Sequence, residues 1–238
     1  MATQLQLGDI AVDVRLKNIK NVHLSVYPPI GRVQISAPAH MSLDTIRVFV
    51  ISKLDWIKQR QGKLRQQERE TPREYLERES HYVWGKRYLL SVVERDQVPS
   101  VALLHSRMIL SVRTGTDKTE KEAILARWYR EQLKAVVPEL IAQWEPILSV
   151  HVQRVFVQQM KTKWGGCNPR ARTLRFNTEL AKKPKECLAY IVLHEMAHLL
   201  EPTHNARFVA LMDRFMPAWQ LCRQKLNRLP VRHADWDY

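Results

Sequence analysis

The run His194-Glu195-Met196-Ala197-His198 has the spacing of a metal site on a helix. At 3.6 residues per turn His198 lies about 40° round from His194 and Glu195 about 60° beyond it, so all three face one way. Two imidazoles so placed can reach one zinc ion, and the carboxylate beside them can act as a general base. The surrounding segment CLAYIVLHEMAHLL is apolar round the rest of its arc, the pattern of a buried helix. Burying a carboxylate and two imidazoles in its one polar strip is costly unless they are paired, hydrogen-bonded or bound to metal. Catalytic zinc usually takes three protein ligands and keeps one position open. His204 is the best candidate for the third, with Asp213 and Glu201 as rivals. On a continued helix His204 would sit about 240° round and about 9 Å along from His198, out of reach. Pro202 disfavours helical geometry at Glu201 and removes a donor, which ends the helix and lets His204 fold back. One zinc per chain, or another divalent ion, held by three neutral imidazoles would bring the pKa of its water towards about 7, with Glu195 taking the proton. That is the logic of hydrolysis.

The elements that must position these residues follow from periodicity. Val12 and Val14, then Val22, Leu24 and Val26, then Val33 and Ile35 alternate as half-buried strands, with a turn cluster at Pro28-Pro29-Ile30-Gly31. Ser42 is a helix cap for Leu43, Ile46, Val50, Leu54 and Ile57, and the pattern predicts one long helix over about 42–66 before the charged run RQQERETPRE. Hairpins are expected to turn near Trp84-Gly85-Lys86 and Ser106-Arg107. From about Thr119 the helical period returns, with Pro138 expected to kink or break it before Trp144. Strands are expected at about Val152–Val157 and at Thr173–Asn177, with Pro184 in the first turn of the HExxH helix, Asn205 capping the next and Pro217 starting the last. No internal repeat or low-complexity tract is visible. The fold class is α+β, with a strand-rich N-terminal region over 1–116 and the chemistry in 117–238.

Composition narrows the partners. Lys and Arg number 38 against 24 Asp and Glu, a net charge of +14, which favours polyanions through long-range attraction. The excess is concentrated just before the metal motif, where Lys161, Lys163, Arg170, Arg172, Arg175, Lys182, Lys183 and Lys185 face only Glu179 and Glu186. That 161–187 segment is either a solvated face or a site for an anionic substrate, a nucleotide or a nucleic acid. Cys167, Cys187 and Cys222 have no CxxC pairing and are expected to be reduced thiols. There is no run of about eighteen apolar residues and no signal-peptide pattern, so a cytoplasmic protein without a membrane partner is expected. His23, His40, His81, His105, His151 and His233 show no ligand spacing.

The segments KTKWGGCNPRARTLRFNTEL and HEMAH, the histidine of PTHNARF, and MPAW before the last helix resemble the YgjP-like metallopeptidase family, related to the SprT-like proteins and the wider zincins. RVQISAP followed by a helix with DWI, and WYREQL before a strand, resemble that family's front half. The resemblance implies a zincin-like catalytic half, an HExxH helix on a small sheet, with His194, His198 and His204 as ligands and Glu195 as base. The family usually has Ser where this chain has Gly166, and Glu201 stands where metzincins require Gly. The turn Trp164-Gly165-Gly166-Cys167 is expected to bring backbone close to the cleft, with Cys167 a minor rival as ligand. By analogy with zincins, Thr173–Asn177 is either the edge strand that pairs with an extended peptide or an interior strand or plain hairpin. Lys161, Lys163, Trp164, Arg175 and Asn177 are the candidate substrate contacts.

The leading expectation is a zinc metallopeptidase acting on a peptide or protein through a Glu-activated, zinc-bound water. The alternatives are a metal-dependent nucleotide phosphoanhydride hydrolase, a pyrophosphatase, and a nucleic-acid-associated zinc-binding module.

Overall fold

A computed structural model describes residues 3–27, 31–66, 73–160 and 163–229. The turn expected at Pro28-Pro29-Ile30, most of the charged run after Gln66, Lys161 and His233 lie outside them. The chain forms two compact units, Met1–Arg69 and Glu70–His233, so the division expected near residue 116 falls inside the second. The architecture is mixed α+β. No helix among the described residues is long and apolar enough to cross a membrane.

In the first unit, strands β1 (Thr3–Leu7), β2 (Ile10–Lys17), β3 (His23–Tyr27) and β4 (Arg32–Pro38) form a sheet in the order β1-β2-β4-β3. The alternation of Ile10, Val12, Val14, Val33 and Ile35 puts one face of that sheet into a core. Helices α1 (Leu43–Ile51) and α2 (Leu54–Gln66) cover it with Ile46, Val50 and Ile57. Full burial of such side chains is worth ~1.5–3 kcal/mol each. The Ser42 cap forms as expected, its hydroxyl accepting from Thr45 N at 3.2 Å. The single long helix does not: Ser52 closes α1, donating its hydroxyl to Phe49 O at 2.7 Å, and α2 starts afresh.

The second unit opens with β5 (Ser80–Val83), β6 (Lys86–Glu94), β7 (Ser100–Leu104) and β8 (Arg107–Val112), in the order β5-β6-β8-β7. Both four-stranded sheets have a parallel central pair flanked by antiparallel ones, and both are followed by a capped helix. Corresponding elements start at Thr3 and Ser80, Ile10 and Lys86, His23 and Ser100, and Arg32 and Arg107, and the helix caps are Ser42 and Asp117. The spacing is nearly constant, so the fold contains a structural repeat that the sequence did not disclose. A sheet of this kind constrains only alternation, turn geometry and cap chemistry, which many residue choices satisfy.

Helix α3 (Lys118–Leu148) begins at a capping box, in which Asp117 accepts from Glu120 N at 2.7 Å and Glu120 from Asp117 N at 3.3 Å. It runs through Pro138 without ending. Leu125, Tyr129, Leu133, Val137, Ile141 and Leu148 are buried on both sides of the proline, and their packing outweighs the ~3 kcal/mol that an interior proline costs. Strands β9 (Arg154–Gln158), β10 (Gly165–Asn168) and β11 (Thr173–Asn177) form a small sheet in the order β10-β11-β9, β11 antiparallel to β10 and parallel to β9. Thr173–Asn177 is therefore interior, and the expected Trp164–Cys167 turn is instead the start of edge strand β10.

A 3-10 turn, Thr178–Lys182, leads through Pro184 into helix α4 (Lys185–Ala197), which carries HExxH. The β5–β6 turn holds its entry: Trp84 N donates to Ala181 O at 2.8 Å and Gly85 N to Lys182 O at 3.2 Å. Gly85 has φ +80°, and a Cβ there would come 2.8 Å from Pro184 Cγ, so a side chain is barred by conformation and by space. Helices α5 (Ala206–Phe215) and α6 (Trp219–Arg228) complete the unit, α6 starting two residues beyond Pro217.

Candidate metal centre

Helix α4 is buried on nearly every side, through Cys187, Leu188, Tyr190, Ile191, Val192, Leu193, Met196 and Ala197. Its last turn points the two histidines and Glu195 into a cleft of about 450 Å³. His198 is the C-cap, and the chain keeps turning through Leu200, with Glu201 N donating to Ala197 O at 2.9 Å before Pro202. That reversal returns His204 to the helix end. Asn205 then caps α5, its side chain accepting from Arg207 N at 3.0 Å and Phe208 N at 3.1 Å. One cap thus fixes His204 on one side and Phe208 on the other.

The three imidazoles converge. His204 Nε2 lies 3.0 Å from His194 Nε2 and 3.1 Å from His198 Nε2. His198 Nδ1 stands 3.0 Å from Glu201 O, so it carries the proton and leaves the Nε2 lone pair facing the cluster. His204 Nε2 faces both other nitrogens, and a single N–H can serve only one of them. A tetrahedral metal with bonds of about 2.0–2.1 Å separates its ligand nitrogens by about 3.3 Å, close to the spacing here, and satisfies all three at once. Among the described residues His194, His198 and His204 are the group able to hold a metal ion; Asp213, Glu201 and Cys167 are not in it. Asp213 accepts instead from Trp219 Nε1 at 2.7 Å. Burial, then the neighbouring His198 and His204 rings, lowers His194 to about 3, and burial likewise lowers His204. Neutral imidazoles are the form that binds metal.

Phe208 forms a floor beneath all three rings. Its centroid lies 4.9 Å from His194, 4.6 Å from His198 and 4.8 Å from His204, stacked on His198 at 27° and edge-on to His204 at 85°. Tyr190, one turn before His194, packs edge-on against it at 5.7 Å.

Glu195 is buried, and burial raises its carboxyl to about 7 against the opposing pull of Lys163. Strand β10 presses against it: a Cβ on Gly165 would lie 2.6 Å from Glu195 Oε1 and 2.7 Å from its Cγ. Cys167 is on the same face, its thiol raised to about 11 by burial and then by Glu195, and so not a thiolate near neutral pH.

The candidate substrate contacts separate. Lys163 and Trp164 line the cleft. Arg175 does not: it alternates with the buried Leu174 and Phe176, which puts it on the other face of the sheet, 5.5 Å from the Phe156 ring. Asn177 is buried, donating to Met160 O at 2.9 Å and Lys163 O at 2.8 Å and accepting from Met160 N at 3.3 Å and Glu179 N at 3.2 Å. With all four positions used, it braces the loop before β10 and offers nothing to a substrate. Nor is the basic segment one patch, since Lys183 is buried and Lys182 pairs with Glu179 at 2.9 Å. Sequence reasoning missed Phe208, Tyr190 and Arg223, which also line or floor the site. Tyr190 was within reach, being four residues before His194 on the same helix, whereas Arg223 comes from a distant helix without any spacing signal.

Two solved structures resemble part of the chain. The metallopeptidase zymogen of Pyrococcus abyssi abylysin aligns at 22% identity and TM-score 0.36, covering 40% of this chain and 100% of that one. The zymogen of Methanocaldococcus jannaschii jannalysin aligns at 20% identity and TM-score 0.35, covering 38% and 92%. No curated protein sequence matches. The family model described as YgjP-like, metallopeptidase domain, matches residues 20–229, nearly the whole chain, and the chain belongs to the YgjP-like metallopeptidase family.

Proposed function

We propose that this chain is a zinc metallopeptidase in which His194, His198 and His204 hold the metal and Glu195 is the general base. The observation that carries the reading is the approach of His204 Nε2 to 3.0 Å from His194 Nε2 and 3.1 Å from His198 Nε2, beside a buried carboxylate on the same helix as the last two. Three nitrogen donors suit zinc. A zinc ion held there would polarise a carbonyl and acidify water. Glu195 then accepts the proton released in the attack and passes it to the departing amine. Its burial excludes competing solvent protons, and the wall formed by Gly165 limits where its oxygens can go.

Strand β10 is suited to hold the substrate backbone. Asn177 N donates to Trp164 O at 2.9 Å, which makes Trp164–Asn177 a hydrogen-bonded pair of the antiparallel ladder. The alternation of such pairs turns the N–H and C=O of Gly165 and Cys167 away from β11. No strand pairs with that edge among the described residues, and it borders the cleft. An extended peptide adding there would lie beside Glu195 and the histidines.

The test is a panel of peptides and nucleoside triphosphates incubated with the zinc-loaded chain and with Glu195→Gln. Peptide cleavage that drops at least 10²-fold in the variant, with zinc content unchanged, is expected. Loss of metal from Glu195→Gln, or cleavage of the triphosphates alone, overturns the reading.

A further inference from the structure

Among the described residues, Lys163 and Arg223 are the cations that line the cleft, and Glu195 is the acid that does. Lys163 comes from the segment just before β10 and Arg223 from α6. Other carboxylates on or near these helices are engaged elsewhere: Asp213 accepts from Trp219 at 2.7 Å, Glu186 pairs with Lys225 at 2.5 Å, and Glu201 accepts from Thr203 at 3.2 Å and lies 4.0 Å from Arg207. Arg223 forms no ion pair among the described residues, yet it is not loose. Its guanidinium lies 6.0 Å over the Trp219 ring, Trp219 stacks on Tyr190 at 6.3 Å and 17°, and Tyr190 packs on His194. Two aromatic rings, one tethered by its indole N–H, therefore tie the guanidinium to the helix that bears the histidines.

We propose that Arg223, assisted by Lys163, makes this enzyme select peptides with a carboxylate close to the scissile bond. This rests on the metallopeptidase reading and names its substrate class. A planar guanidinium presents paired donors that match a carboxylate bidentately, whereas an ammonium such as Lys163 acts as a point charge. A basic residue in the same place would face two cations, so the cleft selects by repulsion as well as attraction.

The experiment uses the full zinc-loaded chain and matched fluorogenic peptides that differ only in Glu, Gln or Lys at the positions flanking the cleaved bond. The wild type should cleave the Glu peptide with kcat/KM about 10- to 100-fold above the Gln peptide, the range of a charge-assisted hydrogen bond. Arg223→Glu should invert the order in favour of Lys at unchanged zinc content, and Arg223→Lys should keep the order with a smaller ratio. Wild-type cleavage indifferent to these charges overturns the proposal. So does a uniform fall in kcat across all three peptides in Arg223→Glu, which would make Arg223 a stabiliser of the reacting carbonyl. If no peptide is cleaved at all, or only triphosphates are, the metallopeptidase reading itself fails, a result distinct from cleavage without acidic preference.

Discussion

Gly165 and Glu195 are so close that a single methyl group on the glycine would come within 2.6 Å of the carboxylate. Glycine is required here by space and not by a left-handed backbone. Gly165→Ala cannot push strand β10 outwards without breaking its ladder with β11, so the movable end of Glu195 must give way. In the reading proposed above, the variant keeps its fold and its zinc but loses about 10²- to 10⁴-fold in turnover, as if the base itself were removed. Zinc analysis and peptide kinetics on Gly165→Ala and Glu195→Gln together check it. Full activity in Gly165→Ala would mean that the carboxylate has no fixed role.

Phe208 makes a different prediction, because it touches all three imidazoles and offers no donor. Removing an aromatic floor frees the rings to rotate, so the loss should fall on metal affinity more than on the chemical step. Phe208→Leu is expected to weaken zinc binding by roughly 10- to 100-fold, the range seen when groups orienting metal ligands are lost. Competition with a chelator measures it, and turnover at saturating zinc should recover most of the wild-type rate. Phe208→Ala would confuse the result with a cavity cost of ~3–5 kcal/mol. Unchanged zinc affinity in Phe208→Leu would leave the ring as ordinary core.

The convergence of His194, His198 and His204 was legible because its determinants are local. HExxH spacing, the helix stop at Pro202 and the Asn205 cap together return His204 to the helix within a few residues. What surrounds them was not legible, because it is set by pairing across the chain. Whether Thr173–Asn177 is an edge or an interior strand depends on where Gly165–Asn168 lies, whereas the far-side position of Arg175 follows from its alternation with the buried Leu174 and Phe176. Asn177 looked like a substrate contact by position, but its partners Met160 and Lys163 are brought to it by the loop. Helix ends do not follow the prolines: α3 continues past Pro138 because a buried stripe runs on beyond it, while the α1–α2 junction at Ser52 carries no proline at all.

The last prediction concerns acid stability and a histidine away from the cleft. His81 is buried beside the Tyr75 ring, its Nε2 2.9 Å from Glu79 Oε1, with Arg73 3.5 Å from the same oxygen. Burial lowers its pKa to about 4, Arg73 and Lys182 add to the shift, and Glu79 opposes it. Against an unfolded value of about 6.5, the unfolded chain takes up the proton first as pH falls. The stability linked to neutral His81 is therefore fully present above about pH 6.5, is lost progressively towards pH 4 and does not change further below that. The loss amounts to at most about 3 kcal/mol. His81→Gln keeps a polar side chain that does not titrate in this range. Denaturant unfolding of both proteins at intervals from pH 7 to pH 4 should give a shallower decline for the variant. The substitution leaves the proposed metal site untouched, so any acid release of zinc would affect both proteins alike and the difference in slope isolates His81. Parallel declines would show that His81 does not contribute to the acid sensitivity of the fold.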